Sequence, residues 1–584
     1  MKGSAALIPK HDTLQSALEA ASQGGSGLTF VDIKERESFV SYREFHTRAR
    51  RAAAFFVNLG IRPDDRIALI QSTSPEFVDA IFGSMLAGAI PVPLYPPLRL
   101  GKLDDYHAAT ARMLSITGAR LVVTEQRLRL LLGRSLAKAR PPLGCRLGDE
   151  LTSNGEEFAL PASSEQVALV QFSSGATVDP KPVCLSHRNV LYQCAALHRV
   201  LIESSAPPHS GVSWLPLYHD MGLIGALFNA VYYPGHLVLI PPEHFLARPA
   251  IWLRAISRHR ATASFGPNFG YALCVKRIRE HEMENVDLSS WRIAGNGAEP
   301  ISMSIIRRFC EKFSRFGFDG CAFTSGYGLA EASLAVTYAD VAHGAKAVAV
   351  DPSRLASLGE ADDGDFEIAS VGKPLPGTEV EIRDSEGNCL PDRRVGRIHV
   401  RSPSVMSGYF GSFHSSSPEL SQGWLDTGDL GFSVNGELYV CGRAKDLVII
   451  RGANHPPQEF ETCLETVPGV RPGCAVALGF LPLDADGEQL LILAERNPGA
   501  EPGLEERIRS AVLERTGVLA HTIQILEPGT LPRTSSGKLR RREALRQFLT
   551  HQLRAPRPVN ALSMASEVIR SAIGLAKLGL ADEG

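Results

Sequence analysis

The sequence predicts an α/β protein with a large N-terminal domain of helix-covered β-sheets, a small β-rich subdomain and a small, mobile α+β C-terminal domain. Its 584 residues exceed what one hydrophobic core usually serves, so two or more domains are expected. Helical and strand-like segments alternate as far as residue 338, and short strand-like runs between turn residues then follow. After a hinge predicted at residues 442–446, residues 445–584 carry helix and strand signals of their own.

The segments near the N-terminus justify the helix-covered sheets. Residues 42–59 predict a helix, since apolar residues recur near one of its faces, and the apolar run 67–70 suits a buried strand. Ser74 is the expected cap of a helix over 76–87, which leads through a glycine into a second strand at 89–94. Repetition of such units implies sheets with helices on both faces.

The segments after residue 200 complete the prediction. Residues 223–240 form the most apolar long stretch, but Asn229 and Pro234 interrupt it, so we expect a buried helix and a strand and no transmembrane span. Residues 340–365 are polar and weakly periodic, which predicts a surface insertion. Three strands of the β-rich subdomain and one tail helix are predicted at residues 379–382, 396–400, 437–440 and 563–578.

Composition and charge exclude several classes of protein. The 61 Lys and Arg residues against 63 Asp and Glu give a net charge of −2, so no global field favours nucleic acid or anionic lipid. The ten cysteines include no C-x-x-C pair, which predicts reduced, mostly buried thiols and neither a zinc site nor a disulfide framework. The first 20 residues lack a continuous apolar run, so we expect no secretory signal and a cytoplasmic protein.

Two loops have compositions that suit phosphate chemistry. In LPRTSSGK (531–538), Lys538 follows small, hydroxylated residues, and a lysine on such a loop can be carried into a distant active site. The loop FSSGATVDPK (172–181) is small and polar enough for backbone N–H groups and hydroxyls to surround phosphate oxygens. Its spacing is not that of a Walker loop, and a plain turn is the ordinary alternative. Together the two loops suggest an enzyme that activates a carboxylate with ATP.

Three further segments carry candidate residues. In FTSGYGLAE (323–331), Tyr327 can stack on a purine and Glu331 can hold Mg²⁺, the alternative being a core tyrosine and a solvated glutamate. Asp429 can accept both ribose hydroxyls, or can simply cap a turn. His219, in WLPLYHDMGL, stands beside an aspartate and bulky apolar residues, which marks the mouth of an acyl pocket or a structural hydrogen bond. No G-x-S-x-G elbow offers His219 a serine to activate.

The joint order and spacing of these segments resembles the adenylate-forming superfamily of acyl-CoA synthetases, luciferases and peptide-synthetase adenylation domains. The resemblance runs from about residue 30 to residue 541. It implies the adenylate-forming enzyme fold, with an N-terminal adenylation domain at 1–444 and a mobile C-terminal domain at 445–584 that carries the catalytic lysine. The motifs that look like those of fatty acyl-AMP ligases, which pass the acyl group to an acyl carrier protein instead of coenzyme A, are at 214–225, 266–274, 296–300 and 445–455. Such ligases carry extra residues, thought to restrain domain motion, in the broad region of the insertion.

The resemblance also implies roles for single residues. It makes Lys538 the lysine that bridges the carboxylate and the α-phosphate, Tyr327 the adenine-stacking residue and Glu331 the Mg²⁺ ligand. It makes Asp429 and Arg443 ribose and phosphate contacts. The other implied site residues are Ser173, Ser174, Gly175, Ala176, Thr177, Lys181, Gly297, Ala298, Glu299 and Gly328 for ATP or AMP, His219 for catalysis, Lys445 at the hinge, and Trp214, Met221, Gly222 and Asn268 in the acyl pocket.

The implied function is ATP- and Mg²⁺-dependent activation of a medium- or long-chain fatty acid, followed by acyl transfer to an acyl carrier protein in trans, in lipid, polyketide or lipopeptide biosynthesis. The runner-up is an acyl-CoA ligase. A non-catalytic acyl or nucleotide sensor is suggested because Val178 and Pro182 replace glycines of the family's phosphate loop, but Lys538, Asp429 and Glu331 are retained. A fused carrier domain is disfavoured, because about 40 residues follow residue 541 and they include no Asp-Ser-Leu attachment site.

Overall fold

A computed structural model describes residues 1–97, 100–153, 155–173, 180–203, 209–411, 420–450, 453–465, 467–482, 488–534, 537–556 and 561–576, with the backbone only at 561–563. The α-helices of this part of the chain are α1 (Leu14–Ala21), α2 (Tyr42–Asn58), α3 (Pro75–Leu86), α4 (Leu103–Thr117), α5 (Gln126–Ala139), α6 (His187–Leu197), α7 (Asn229–Tyr232), α8 (Pro242–Ala247), α9 (Ala250–Arg258), α10 (Asn268–Arg277), α11 (Met303–Phe313), α12 (Pro352–Leu358), α13 (Pro457–Leu464), α14 (Leu504–Thr516), α15 (Arg541–Leu549) and α16 (Ala561–Ala576). Two π-helical segments extend them, at His198–Ile202 and Met221–Phe228.

The strands are β1 (Gly27–Val31), β2 (Glu37–Ser41), β3 (Arg66–Ile70), β4 (Ile90–Pro93), β5 (Leu121–Thr124), β6 (Cys145–Leu147), β7 (Val167–Phe172), β8 (Pro182–Ser186), β9 (Ser210–Ser213), β10 (His236–Leu239), β11 (Ala263–Gly266), β12 (Ile293–Gly297), β13 (Phe323–Gly328), β14 (Ala335–Tyr338), β15 (Ala347–Val350), β16 (Phe366–Ala369), β17 (Lys373–Pro374), β18 (Glu379–Arg383), β19 (Gly396–Arg401), β20 (Gly408–Tyr409), β21 (Leu420–Ser421), β22 (Trp424–Val434), β23 (Glu437–Arg443), β24 (Val448–Ile450), β25 (Ala453–His455), β26 (Val470–Phe480), β27 (Gln489–Arg496) and β28 (Ala520–Leu526).

Two sheets with parallel cores form the N-terminal part. The larger has nine strands in the order β17-β14-β13-β12-β11-β9-β10-β1-β2, and the run from β13 to β1 is parallel. The smaller, β4-β3-β5-β6, is parallel throughout. The predicted helices and strands near the N-terminus are confirmed as α2, β3, α3 and β4, and Ser74 Oγ accepts the N–H of Phe77 as the helix cap. The predicted α/β fold with helix-covered sheets is therefore confirmed.

The β-rich subdomain is an antiparallel sheet in the order β18-β19-β22-β21, with β23 paired to β22. The predicted insertion at residues 340–365 is more ordered than its composition suggests, since it contains β15 and α12, and β15 pairs with β16 just after it. Val350 and Leu355 of this segment are buried against Phe432 and Tyr439 of the sheet. The insertion has too few apolar residues to show a helical or strand periodicity in the sequence. Their role as core residues is seen only from their packing against the sheet. Helix α12 also lies against β25, which follows the predicted hinge.

The elements that carry Lys538 have cores of their own. β26, β27 and β28 form a mixed sheet, and Phe460, Val476 and Ile508 are fully buried around it. We call β24 to β28 with α13, α14 and α15 the C-terminal unit. No helix that the structure describes is both long enough and apolar enough to cross a membrane. The ten cysteines, all of which are described, form no disulfide bonds.

Helix α16 does not pack with the C-terminal unit, although residues 445–584 were predicted to form one domain. It lies along α5 of the N-terminal part. Glu567 Oε1 lies 2.9 Å from His107 Nε2 and 3.3 Å from an Arg134 guanidinium nitrogen. The backbone N–H of Gly133 donates to Ser571 Oγ at 2.8 Å. The last described helix is thus anchored to the opposite side of the hinge from α15, which its own helical pattern could not indicate.

Gly574→Ala should release α16 from α5. A Cβ built on Gly574 would lie 2.5 Å from Gly133 O, a backbone atom that cannot move aside cheaply. Alanine gains about 1 kcal/mol of helix propensity over glycine, but overpacking costs about 1–3 kcal/mol, and we expect the clash to prevail. Hydrogen exchange of the α16 amides should therefore quicken. Ile573→Ala, at a position that is 53% exposed, is the matched control and should leave that exchange unchanged.

Candidate active site

The candidate site is a cavity at the carboxyl edge of the parallel strands of the large sheet, where ligands bind in open α/β folds. The ends of β12 and β13 and the turn after β9 contribute to it from below, and β23 and the Lys538 loop close it from the other side. Of the predicted site residues, those that line it are Ser173, Lys181, His219, Met221, Gly297, Ala298, Tyr327, Gly328, Glu331, Arg443, Lys445 and Lys538. Residues up to 365 positions apart in sequence, from Ser173 to Lys538, thus share one cavity.

Tyr327, Asp429 and Arg443 form a bonded group at the wall of the cavity. The Tyr327 hydroxyl donates to Asp429 Oδ2 at 2.7 Å, and Arg443 Nε lies 3.2 Å from Asp429 Oδ1. β22 and β23 pair Asp429 directly with Arg443. Burial raises the pKa of Asp429, whereas the charge of Arg443 and the hydrogen bond from Tyr327 act to lower it. Asp429 itself lies behind the lining residues, so its predicted ribose contact stays a prediction while its support of Tyr327 and Arg443 is observed.

A second bonded group joins Glu331 to Tyr409, a residue that sequence reasoning missed. The Tyr409 hydroxyl donates to Glu331 Oε1 at 3.1 Å, and Lys181 Nζ lies 4.6 Å from the Tyr409 ring centroid. Burial raises the pKa of the Glu331 carboxyl. Tyr409 reaches the site because β20 pairs with β8, next to the predicted phosphate loop. No local signal marks that pairing across more than 200 residues of chain.

The Lys538 side chain is half-buried among acidic groups. Burial lowers the pKa of its ammonium group, while Asp220, Glu299 and Asp429 act in the opposite direction. The loop approaches closely, since a Cβ built on Gly537 would lie 3.7 Å from the Phe269 ring. A half-buried ammonium group held by charge partners at the end of a loop can stabilise negative charge that develops on a reacting substrate.

His219 faces the same cavity. Its Nδ1 lies 2.5 Å from Asp220 Oδ1, and Asp220 Oδ1 also accepts the N–H of Met221 at 2.7 Å. Burial alone would raise the pKa of Asp220, but His219 and Lys538 outweigh it and the pKa is lowered. His219 Nε2 is buried and makes no hydrogen bond to any residue that the structure describes. The imidazole is therefore oriented by Asp220 with its other nitrogen available to a ligand.

The predicted nucleotide contacts at β12 and β13 divide into two kinds. Gly297, Ala298 and Gly328 line the cavity, and a Cβ on Gly328 would lie 1.7 Å from Leu334 O, so only glycine fits this approach. Glu299 does not line it. Its Oε1 accepts the N–H of Phe269 at 2.5 Å and so holds the first turn of α10, and its predicted contact with ATP stays a prediction.

Most of the predicted phosphate loop, residues 174–179, lies outside the described residues. These residues include the predicted contacts Ser174, Gly175, Ala176 and Thr177. The two ends of the loop are bonded to each other, because Ser173 N–H donates to Lys181 O at 2.9 Å and Lys181 N–H donates to Ser173 Oγ at 3.2 Å. The phosphate role of the loop stays a prediction.

The four predicted acyl-pocket residues differ in their position relative to the cavity. Met221 alone of the four lines the cavity. Trp214 is 2% exposed and stacks on Phe245 with ring centroids 3.8 Å apart. Gly222 lies against Pro216 O, and Asn268 Oδ1 accepts the N–H of Ser302 at 3.2 Å. Trp214, Gly222 and Asn268 therefore lie behind the residues that line the cavity, because only some side chains of the motif face it. Other apolar residues that line the cavity include Leu197, Leu201, Gly225, Phe265, Leu334 and Ala335.

The site can accept an anionic nucleotide and an apolar carboxylate together. Several cationic residues, among them Lys181, Arg443 and Lys538, line one cavity together with Tyr327, and this cavity has an apolar extension. Among the described residues, no group of three side chains could hold a metal ion by itself, so Glu331 would act as a single carboxylate ligand. That donor set fits Mg²⁺, which is usually held by one or two carboxylates together with substrate phosphates.

Such a fold and site define a nucleotide-dependent, carboxylate-activating enzyme. The family described as "AMP-binding enzyme" matches residues 18–410, so the chain belongs to that family of adenylate-forming ligases. A putative acyl-CoA synthetase from Caulobacter vibrioides is 34% identical, with 92% of this chain and 95% of the relative covered. The medium-chain-fatty-acid–[acyl-carrier-protein] ligase JamA from Moorena producens is 32% identical, covering 93% and 96%.

A solved structure from work on fatty acyl-adenylate ligases of E. coli and L. pneumophila is also similar. It has a TM-score of 0.86 and 35% identity, with 93% of this chain and 98% of that chain covered. The adenylate-forming enzyme fold and the kinship to fatty acyl-AMP ligases, both implied by the sequence motifs, are confirmed.

Proposed function

We propose that this protein is an ATP- and Mg²⁺-dependent fatty acyl-AMP ligase that activates a medium- or long-chain fatty acid and passes the acyl group to an acyl carrier protein. The observation that carries the proposal is the position of Lys538 in a cavity that Tyr327, Glu331 and an apolar extension also line. A lysine so placed can contact a carboxylate and an α-phosphate at once. The similarity to JamA supports the choice of acceptor.

The chemical step follows from the charges around the cavity. A carboxylate oxygen of the fatty acid attacks the α-phosphorus, the bond between the α-phosphorus and the bridging oxygen breaks, and pyrophosphate leaves. The ammonium group of Lys538 stabilises the negative charge shared by the two reactants, without transferring a proton. Glu331, held by Tyr409, would bind Mg²⁺, which neutralises triphosphate charge when bound. The Lys538 loop against Phe269 keeps water from the acyl-adenylate.

Pyrophosphate release with a panel of fatty acids tests the proposal. The assay is run alone, with coenzyme A, and with a phosphopantetheinylated carrier protein. We expect release that depends on fatty acid, and acyl transfer to the carrier. Robust acyl-CoA synthesis would instead favour the runner-up, an acyl-CoA ligase, which the similarity to the Caulobacter protein keeps open. No release with any fatty acid would overturn the proposal.

The insertion offers a sharper test of acceptor choice. Helix α12 lies against β25 of the C-terminal unit and would restrain the rotation that coenzyme A transfer requires. Replacing residues 352–358 with a short glycine-serine turn should raise acyl-CoA formation several-fold from a low level, because the contact with β25 is removed. β15 and β16 remain paired and Val350 keeps its place in the core, although Leu355 is lost from it. The assay is acyl-CoA formation at saturating ATP.

The matched control is Arg307→Ala, which removes an exposed ion pair with Glu367 at the other side of the insertion. It should leave acceptor choice unchanged, since exposed ion pairs contribute little. If the α12 replacement folds, forms acyl-adenylate at the parental rate and still makes no more acyl-CoA, then the insertion is not the restraint.

A further inference from the structure

One polar side chain in the apolar extension of the cavity is not used by the proposed chemistry. We call this extension, lined by Leu197, Leu201, Gly225, Phe265, Leu334 and Ala335, the acyl arm. Asn229, the first residue of α7, also lines the cavity. Its Oδ1 is buried and makes no hydrogen bond to any residue in the described part of the chain. Covering a side-chain amide with apolar groups costs free energy unless a ligand or a water molecule forms a hydrogen bond with it.

Asn229 lies on the wall of the arm, away from the reacting atoms. Met221, Gly225 and Asn229 recur every four residues along the π-helix and α7, and all three line the cavity. Met221 adjoins the His219–Asp220 pair at the reaction centre. Eight residues span at most about 12 Å at the α-helical rise. An acyl chain that starts at Lys538 therefore passes Gly225 before it reaches Asn229.

Gly225 keeps this route open. A Cβ built on Gly225 would lie 2.9 Å from Leu334 Cδ2, so a larger residue there would close the arm between the reaction centre and Asn229. The surrounding walls offer van der Waals contact alone, because Leu197, Leu201 and Leu334 have no polar side-chain atoms. A bare alkyl chain would leave the Asn229 amide without a partner, whereas a hydroxyl or carbonyl on the chain would complete it.

We propose that Asn229 selects an acyl substrate with a hydroxyl or carbonyl group on the distal part of its chain, a specificity that rests on the proposed function and refines it. The amide can donate to either group through Nδ2, because Oδ1 is buried away from the cavity. Discrimination arises because the unsubstituted chain leaves a desolvated amide unpaired. Nearly every other contact along the acyl arm is indifferent to the substituent.

The test measures kcat/KM for adenylation with fatty acids of one chain length. They carry a hydroxyl near the carboxylate, in the middle, at the far end, or nowhere. We expect one distal isomer to exceed the unsubstituted acid by about tenfold. Asn229→Leu, of similar volume, should abolish that preference while activity on the unsubstituted acid is retained or raised. Equal rates for all isomers with the parental protein would overturn the inference, since water would then complete the amide.

Two further variants separate the possible failures. Tyr338 is the other polar residue at the apolar walls, and Tyr338→Phe should leave the preference unchanged if Asn229 is the recognition group. A preference lost in Tyr338→Phe but kept in Asn229→Leu would contradict the assignment. Gly225→Ala should reduce activity on all isomers alike. If no fatty acid is activated by the parental protein, the proposed function itself fails, which is a different result from activation without preference.

Discussion

Lys538→Ala should lower the rate of acyl-adenylate formation by about 10²–10³ and leave the fold intact. Removing one preorganised electrostatic donor from an active site has this cost. The Lys538 ammonium group lies in a cavity near Asp220, Glu299 and Asp429. It therefore supplies positive charge where the two reactants, a carboxylate and a triphosphate, are both negative. The measurement is single-turnover formation of acyl-AMP, with circular dichroism to verify folding. Lys34→Ala, at an exposed turn, is the matched control and should be silent.

The pH dependence of the same step distinguishes a catalytic from a purely structural role of Lys538. Because burial lowers the pKa of Lys538, the parental rate should fall on the alkaline side at a lower pH than an ordinary lysine would give. The rate falls as the pH rises because only the protonated, positively charged form of Lys538 can stabilise the reacting anions. Lys538→Arg should move that limb to higher pH, since arginine stays charged. Parental rates of acyl-AMP formation in Lys538→Ala would refute the central assignment.

Asp429→Ala should raise the KM for ATP by about 10- to 100-fold, with a smaller change in the KM for fatty acid. Hydrogen bonds to a charged group contribute about 1.5–3 kcal/mol. Without the carboxylate, the Tyr327 hydroxyl and the Arg443 guanidinium lose the partner that orients them toward the cavity. Any ribose contact by Asp429 would be lost with it. Initial rates across ATP and fatty acid concentrations measure both constants.

A double-mutant cycle distinguishes the two ways in which Asp429 can act. If it acts through Tyr327, then Tyr327→Phe, which removes only the hydroxyl, should have a similar but smaller effect, and the two changes should not add. Additive effects would favour a separate contact of Asp429 with the ribose. Asp365→Ala, an exposed aspartate of the insertion, is the control. Equal losses of affinity for ATP and fatty acid would mean that Asp429 is structural.

Much of the candidate site was predictable because its residues lie in short motifs that follow strands. Tyr327 and Glu331 come at and just after the end of β13, and His219 follows β9. Parallel strands bring their carboxyl ends to one edge, so local motifs in separate units meet there. Tyr409 was missed for the opposite reason. It reaches Glu331 through β20, a two-residue strand whose pairing with β8 depends on the whole subdomain.

Which residues of the predicted acyl-pocket motif line the cavity was not predictable for a related reason. A motif defines which residues are near the site, but the backbone turn decides which side chains point inward. Trp214 packs into the aromatic core with Phe245, whereas Met221, seven residues later, lines the cavity. Leu197 and Phe265, which do line the cavity, carry no sequence signal that separates them from ordinary core residues.

The sequence by itself determined the α/β class, the order of the motifs and the identity of the charged groups, because these follow from local periodicity and side-chain chemistry. Only the tertiary structure decided which of those groups share a cavity, with Asp429 behind Tyr327 and Glu299 at the start of α10. It also decided that α16 lies on α5 beside Gly133, away from the C-terminal unit. Such contacts join residues hundreds of positions apart and depend on how whole surfaces fit, which no local pattern encodes.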